Sequence, residues 1–185
     1  SRLTGNKKFD LYYKGVIEYH QLPDGYSLSA AQQLQVRAYL EDYVHIEPSK
    51  IQQWLRQLTY PLYFMDFETF NPAVPLYDNS KPYQQIPFQF SVHVQDKAGG
   101  KLKHVAYLGT SEKDPRPEFI KQLLEATTGQ GTVLAYNKTF ETTRLRELKE
   151  VFPGYRKQID GLIDRMLDLM YPFQQKWYYT TSMNG

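Results

Sequence analysis

The sequence contains no cysteine. That excludes disulfides, thiolate metal ligands and cysteine nucleophiles, and it fits a cytoplasmic protein. No apolar run approaches the ~20 residues of a membrane-spanning helix, so no membrane partner is expected. A surplus of one charge sign is also lacking. The 22 Lys and Arg stand against 20 Asp and Glu, for a formal net charge of +2. This balance neither argues for a polyanionic partner nor excludes one. The glycine patterns of a P-loop, a dinucleotide-binding turn and a nucleophile elbow are missing, which leaves nucleotide-cofactor and serine-hydrolase chemistry unsupported. The histidines at His20, His45, His93 and His104 are scattered, without the spacing of a metal motif. His93 and His104 fall on two strands of an expected hairpin, where they would pair across it.

What is present is enough for a core. Of the 185 residues, 41% are hydrophobic and 15% aromatic, which suits one folded domain with an attached arm. The boundary is expected near residue 57. Before it, Pro23-Asp24-Gly25 marks a turn, Ser27 or Ser29 can cap a helix running to about Tyr43, and Pro48 opens a second helix through Ile51, Trp54, Leu55 and Leu58. The region 1–57 is therefore a helical arm, or the tail of a preceding domain, without identifiable chemistry.

From residue 58 the pattern changes. Leu62 to Phe67 reads as a buried strand. Phe88 to Gln95 alternates, with Phe88, Phe90, Val92 and Val94 on one face, and the turn at 96–100 leads into a strand from Leu102 to Leu108. Asp114-Pro115 opens a helix with Phe119, Ile120, Leu123 and Leu124 inward. Thr132 to Tyr136 is a short strand, Thr139 to Val151 a helix ended by Pro153-Gly154, and Tyr155 to Met170 a helix or a helix with a strand. The order predicts an α/β fold with a mixed sheet flanked by helices.

Two clusters carry the candidate chemistry. In Asp66-Phe67-Glu68 the acids are two residues apart, so a strand places both on one face. They are either a pair of oxygen ligands for a hard cation or two solvated acids at a strand end. In the segment Tyr136-Asn137-Lys138-Thr139-Phe140-Glu141 a strand passes into a helix that Asn137 can cap. Glu141, Leu145, Leu148 and Phe152 form one helical stripe, so Glu141 is expected to point inward, where a carboxylate needs a partner. The other reading of Glu141 is a first-turn acid favoured by the helix dipole. Lys138, Arg144, Arg146 and Lys149 either track phosphates or form a solvated face. Asp160, Asp164 and Asp168 recur every four residues and read as a solvated helical stripe.

The two clusters, in this order, resemble the first and second motifs of the DEDD, or DnaQ-like, 3′–5′ exonucleases. The segments Tyr60-Pro61-Leu62-Tyr63, Pro82 to Phe88 and Asp114-Pro115-Arg116 extend the resemblance to a bacterial domain of unknown function related to that superfamily. The resemblance runs from about Tyr60 to Phe173. It implies a ribonuclease H-like fold and two-metal hydrolysis of a phosphodiester at the 3′ end of DNA or RNA. Asp66, Glu68 and Glu141 would be the catalytic, metal-holding carboxylates for two Mg²⁺ or Mn²⁺ ions, with Asp168 a further acid before the last helix. Phe67, Thr69, Phe70 and Asn137 would meet the substrate, with Tyr136 a further aromatic available to a base. Motif two ends in Glu141 where that superfamily has Asp, and a third motif is expected beyond Gly185. The chain is thus read as a fragment of a longer polypeptide whose other domains are potential partners. The alternative is a catalytically inactive module of the same fold that binds nucleic acid or a partner domain.

Overall fold

A computed structural model of the chain describes residue 3 and residues 5–183. In chain order the elements are α1 (Asn6–Tyr13), α2 (Ala30–Leu40), β1 (His45–Ile46), α3 (Pro48–Leu55), β2 (Leu62–Phe70), β3 (Ile86–Gln95), β4 (Leu102–Leu108), α4 (Arg116–Ala126), β5 (Val133–Ala135), α5 (Thr139–Val151), α6 (Arg156–Asp164), β6 (Met166–Asp168), α7 (Tyr171–Gln174) and β7 (Tyr178–Tyr179). No helix among the described residues is long and apolar enough to cross a membrane.

Two compact units result. One joins the chain up to Trp54 with everything from Pro172 onward; the other is Leu55–Tyr171. In the first, Ser29 is the cap of α2. Its hydroxyl accepts from the Gln32 N–H at 3.3 Å, and the Gln32 side chain accepts from the Ser29 N–H at 2.9 Å. This reciprocal pair satisfies two otherwise orphaned donors. The C-terminal segment, placed by the sequence in the second domain, lies in this unit. β7 pairs antiparallel with β1, matching Tyr179 to His45 and Tyr178 to Ile46. Pairing between segments so distant in the chain leaves no trace in local periodicity. Leu11, Ala38, Trp54, Pro172 and Tyr179 are buried apolar residues among the described residues of this unit.

The second unit is built on a five-stranded sheet of order β4-β3-β2-β5-β6. β2 is central, antiparallel to β3 and parallel to β5; β4 pairs antiparallel with β3, and β6 parallel with β5. The mixed α/β architecture is the one the sequence predicts. β2 runs three residues beyond Phe67, because Glu68, Thr69 and Phe70 remain paired to β3 across a bulge between Glu68 and Thr69. His93 and His104 are matched across the hairpin, and their rings stack at 4.3 Å.

The core follows from register. Phe67 is opposite Phe90, and Phe90 opposite Tyr107, so three aromatic rings share one face of the sheet. Phe119 of α4 meets all three edge-on, at 5.0, 5.5 and 6.2 Å. Such T-shaped contacts suit the ring quadrupoles. Met65, Ile120, Leu123, Val133, Leu145, Leu148, Ile159 and Leu162 belong to the same cluster. Arg165, just after α6, donates to the carbonyls of Gly131 and Thr127 and so fixes the approach to β5. Gly131 is required there, since a Cβ would run into the Pro61 carbonyl.

Phe119 is fully buried, and truncating it leaves a cavity between helix and sheet. Phe119→Ala should cost about 3–5 kcal/mol, read as a lower urea midpoint at unchanged slope. A loss below about 1 kcal/mol would show that α4 does not depend on this contact.

Candidate active site

The site lies where β2, β5 and β6 hand over to their following segments. Alternation along β2 buries Met65 and Phe67 and leaves Asp66 and Glu68 exposed on the opposite face. One strand thus supplies both a core ring and two solvent-facing carboxylates. Phe67, expected to meet substrate, is turned into the core against Phe119 and is not placed to stack on a base. Phe70 is half-buried and meets Tyr77 and Phe88 edge-on, while Thr69 lies beyond the bulge opposite Pro87. Tyr136 is an exposed aromatic of this region, at 63%.

Asn137 has φ 62°, the left-handed region that Asn tolerates better than most residues. That conformation is incompatible with the side-chain cap expected of it. The position before α5 is Lys138, with no side-chain cap bond. The Asn137 N–H instead donates to Asp168 Oδ1 at 2.9 Å, and the Met170 N–H donates to the same oxygen at 2.9 Å. Asp168 is not on a helix. It ends β6, aligned with Ala135 of β5, so the expected helical stripe of three acids breaks after Asp164, where α6 ends. Short strands of three residues give too few positions for periodicity to distinguish them from a helix end.

Glu141 is 2% exposed, on the same face of α5 as buried Leu145 and Leu148. Its Oε2 has no hydrogen-bond partner. Burial pushes its carboxyl up to about 7; the hydrogen bond from its own backbone N–H opposes this, and the charges of Asp66 and Asp168 add to it. Three acids, from β2, β6 and α5, therefore act on one another. Glu68 shares the strand face of Asp66 and is not among the charges that raise Glu141. Among the described residues, no three Asp, Glu or His groups stand together closely enough to hold a metal ion.

The cations have other tasks. Lys138 Nζ donates to the Met166 carbonyl at 2.9 Å, Arg144 pairs with Glu147 at 2.8 Å, and Lys149 with Asp160 at 2.5 Å. Arg146 is exposed. Of the two readings of these residues, a phosphate-tracking face or a solvated one, neither describes Lys138, Arg144 and Lys149, which are engaged within the protein. Asp168, read from the sequence as part of a helical stripe, ends a strand instead. The signal available was an acid on a short apolar run, Met166-Leu167-Asp168, which can end a strand as readily as continue a helix.

The family described as Domain of unknown function (DUF2779) matches residues 63–185. The chain belongs to this family. The match begins at the central strand of the DUF2779 sheet and includes all four acids of the candidate site. Similar curated proteins are an uncharacterized protein of Ureaplasma parvum, 28% identical over 71% of this chain, and one of Mycoplasma pneumoniae, 30% identical over 63%. The chain spans about a fifth of the length of these relatives, 20% and 18% respectively. No solved structure matches.

The raised carboxyl of Glu141 makes stability depend on pH. Below about 4.5 both folded and unfolded chains hold the Glu141 proton, and its burial costs nothing extra. Between there and about 7 the unfolded chain alone ionises, so stability is progressively lost as pH rises. In EDTA, Glu141→Gln should therefore be more stable than the parent at pH 8, by roughly 3 kcal/mol at about 1.4 kcal/mol per unit. The two should converge near pH 4.5. Equal stability at pH 8 would mean that Glu141 finds its counter-charge within the protein.

Proposed function

We propose that the second unit of this DUF2779 chain is the core of a metal-dependent phosphodiesterase, a 3′–5′ exonuclease on DNA or RNA. The observation that carries this reading is the buried, unpaired Glu141 carboxylate beside Asp66 and Asp168. A charge so placed needs a proton or a cation. The donors are all carboxylate oxygens, which suits hard cations such as Mg²⁺ or Mn²⁺ over softer metals. Asp66, Glu68, Glu141 and Asp168 are the residues that would hold them. Bound divalent ions at such a site stabilise charge on the phosphodiester and lower the pKa of water. The order of elements supports the reading further: strand with D-x-E, hairpin, helix, strand, then the Asn137–Glu141 segment.

The chain's own residues set the rest. Asp168 anchors the backbone of Asn137 and Met170, and so fixes the entry to α5 that carries Glu141. Exposed Asp66 and Glu68 leave the sheet tip open to a large substrate. Exposed Tyr136 offers a ring to a terminal base, a contact that tolerates any sequence.

A second reading has its own observation. The acids are not grouped at metal-holding distance among the described residues, which favours a non-catalytic module that binds nucleic acid or a partner domain. The test uses the full-length protein with end-labelled single-stranded DNA and RNA, in Mg²⁺ or Mn²⁺. The exonuclease reading expects a ladder shortening from the 3′ end, abolished by EDTA and by Asp66→Ala. Retention of the oligonucleotide without cleavage would favour the second reading. The absence of both cleavage and retention would sink the nucleic-acid readings together.

A further inference from the structure

Besides Glu141, three buried side-chain atoms among the described residues have no hydrogen-bond partner: Arg116 Nη1, Arg144 Nε and Glu147 Oε2. All three residues line one small cavity, with Gln84 and Gln85 beside them. The space open to a water-sized sphere there is about 10 Å³, about the minimum for one water molecule.

The charges around this cavity balance. Arg116 is 1% exposed. Its Nε donates to Asp114 Oδ1 at 2.9 Å, and its Nη2 to Asp114 Oδ2 at 2.7 Å and to the Asp78 carbonyl at 2.8 Å. Arg144 Nη2 donates to Glu147 Oε1 at 2.8 Å. Each guanidinium thus has its own carboxylate, and no surplus positive charge is left for an anion. A cation would face two guanidinium groups. What is unmet is two N–H donors and one carboxylate acceptor. Water is the neutral group of this size that accepts twice and donates at once.

We propose that this cavity is a binding site for a single water molecule, accepting from Arg116 Nη1 and Arg144 Nε and donating to Glu147 Oε2. The water joins three parts of the second unit. Arg116 begins α4 and holds, through Asp78, the long loop that leaves β2. Arg144 and Glu147 lie one and two turns beyond Glu141 on α5. The bridge therefore ties the segment after the D-x-E strand to the helix that presents Glu141, and it keeps buried guanidinium donors from being desolvated without compensation. Gln84, Glu147 and Val151 also line a wider cleft of about 740 Å³, which gives the water a route to solvent. This inference stands apart from the proposed activity.

The test is a crystal structure of the chain at a resolution where ordered water is seen, with a parallel bromide soak. Expected is one peak at about 2.7–3.2 Å from all three atoms, without anomalous signal from bromide. Its loss is expected in Glu147→Leu, which removes the acceptor. An anomalous bromide peak would make the site an anion site and overturn the proposal. So would an empty cavity, direct pairing of the three atoms with protein groups, or a peak that persists in Glu147→Leu.

Discussion

Strand β2 cannot place a carboxylate and a phenyl ring on the same side at adjacent positions. Its period of two turns Met65 and Phe67 toward α4 and turns Asp66 and Glu68 away. The rest of the second unit depends on that division. Phe67 recruits Phe90, Tyr107 and Phe119 into one aromatic cluster, and the register that aligns those rings also sets which residues reach the far face. A slip of one residue would bury both acids and expose both core side chains. The position of the acids is thus enforced by burial of their neighbours, which is worth more than any contact the exposed acids make.

A second constraint comes from α5. Its inward stripe carries Leu145 and Leu148 into the core, and the same helical face brings Glu141 into burial. The helix is aimed by what precedes it. Asn137 takes a left-handed backbone, and its N–H is held by Asp168. The acid at the end of β6 therefore both positions the helix start and raises the carboxyl that the helix presents. An arrangement that collects like charges is unfavourable unless something offsets it. A proton does so near neutral pH; a divalent cation would do so across a wider range.

The basic side chains on and just before α5 illustrate why composition is a poor guide to ligand binding. Lys138, Arg144 and Lys149 are each engaged within the protein. Arg144 and Glu147 further line one small cavity with Arg116, which is itself held by Asp114, the Asp78 carbonyl and the rings of Tyr77 and Phe152. A buried guanidinium with this many partners organises the long loop after β2, so the segment without regular structure is still anchored.

Much of this was legible from local pattern alone. Alternation marks β3, helical spacing marks α4 and the full extent of α5, and the stripe through Glu141, Leu145 and Leu148 points that acid inward. Those features depend only on periods of 2 and 3.6 residues, which a sequence displays directly. The left-handed turn at Asn137, the strand that ends in Asp168, the inward turn of Phe67 as against its neighbours, and the pairing of β7 with β1 were decided by tertiary structure. Each depends on a partner distant in the chain: an Asp168 oxygen for Asn137, β5 for β6, Phe119 for Phe67, and His45 for Tyr179. Local spacing records which face a residue shares, but it does not record what waits on that face.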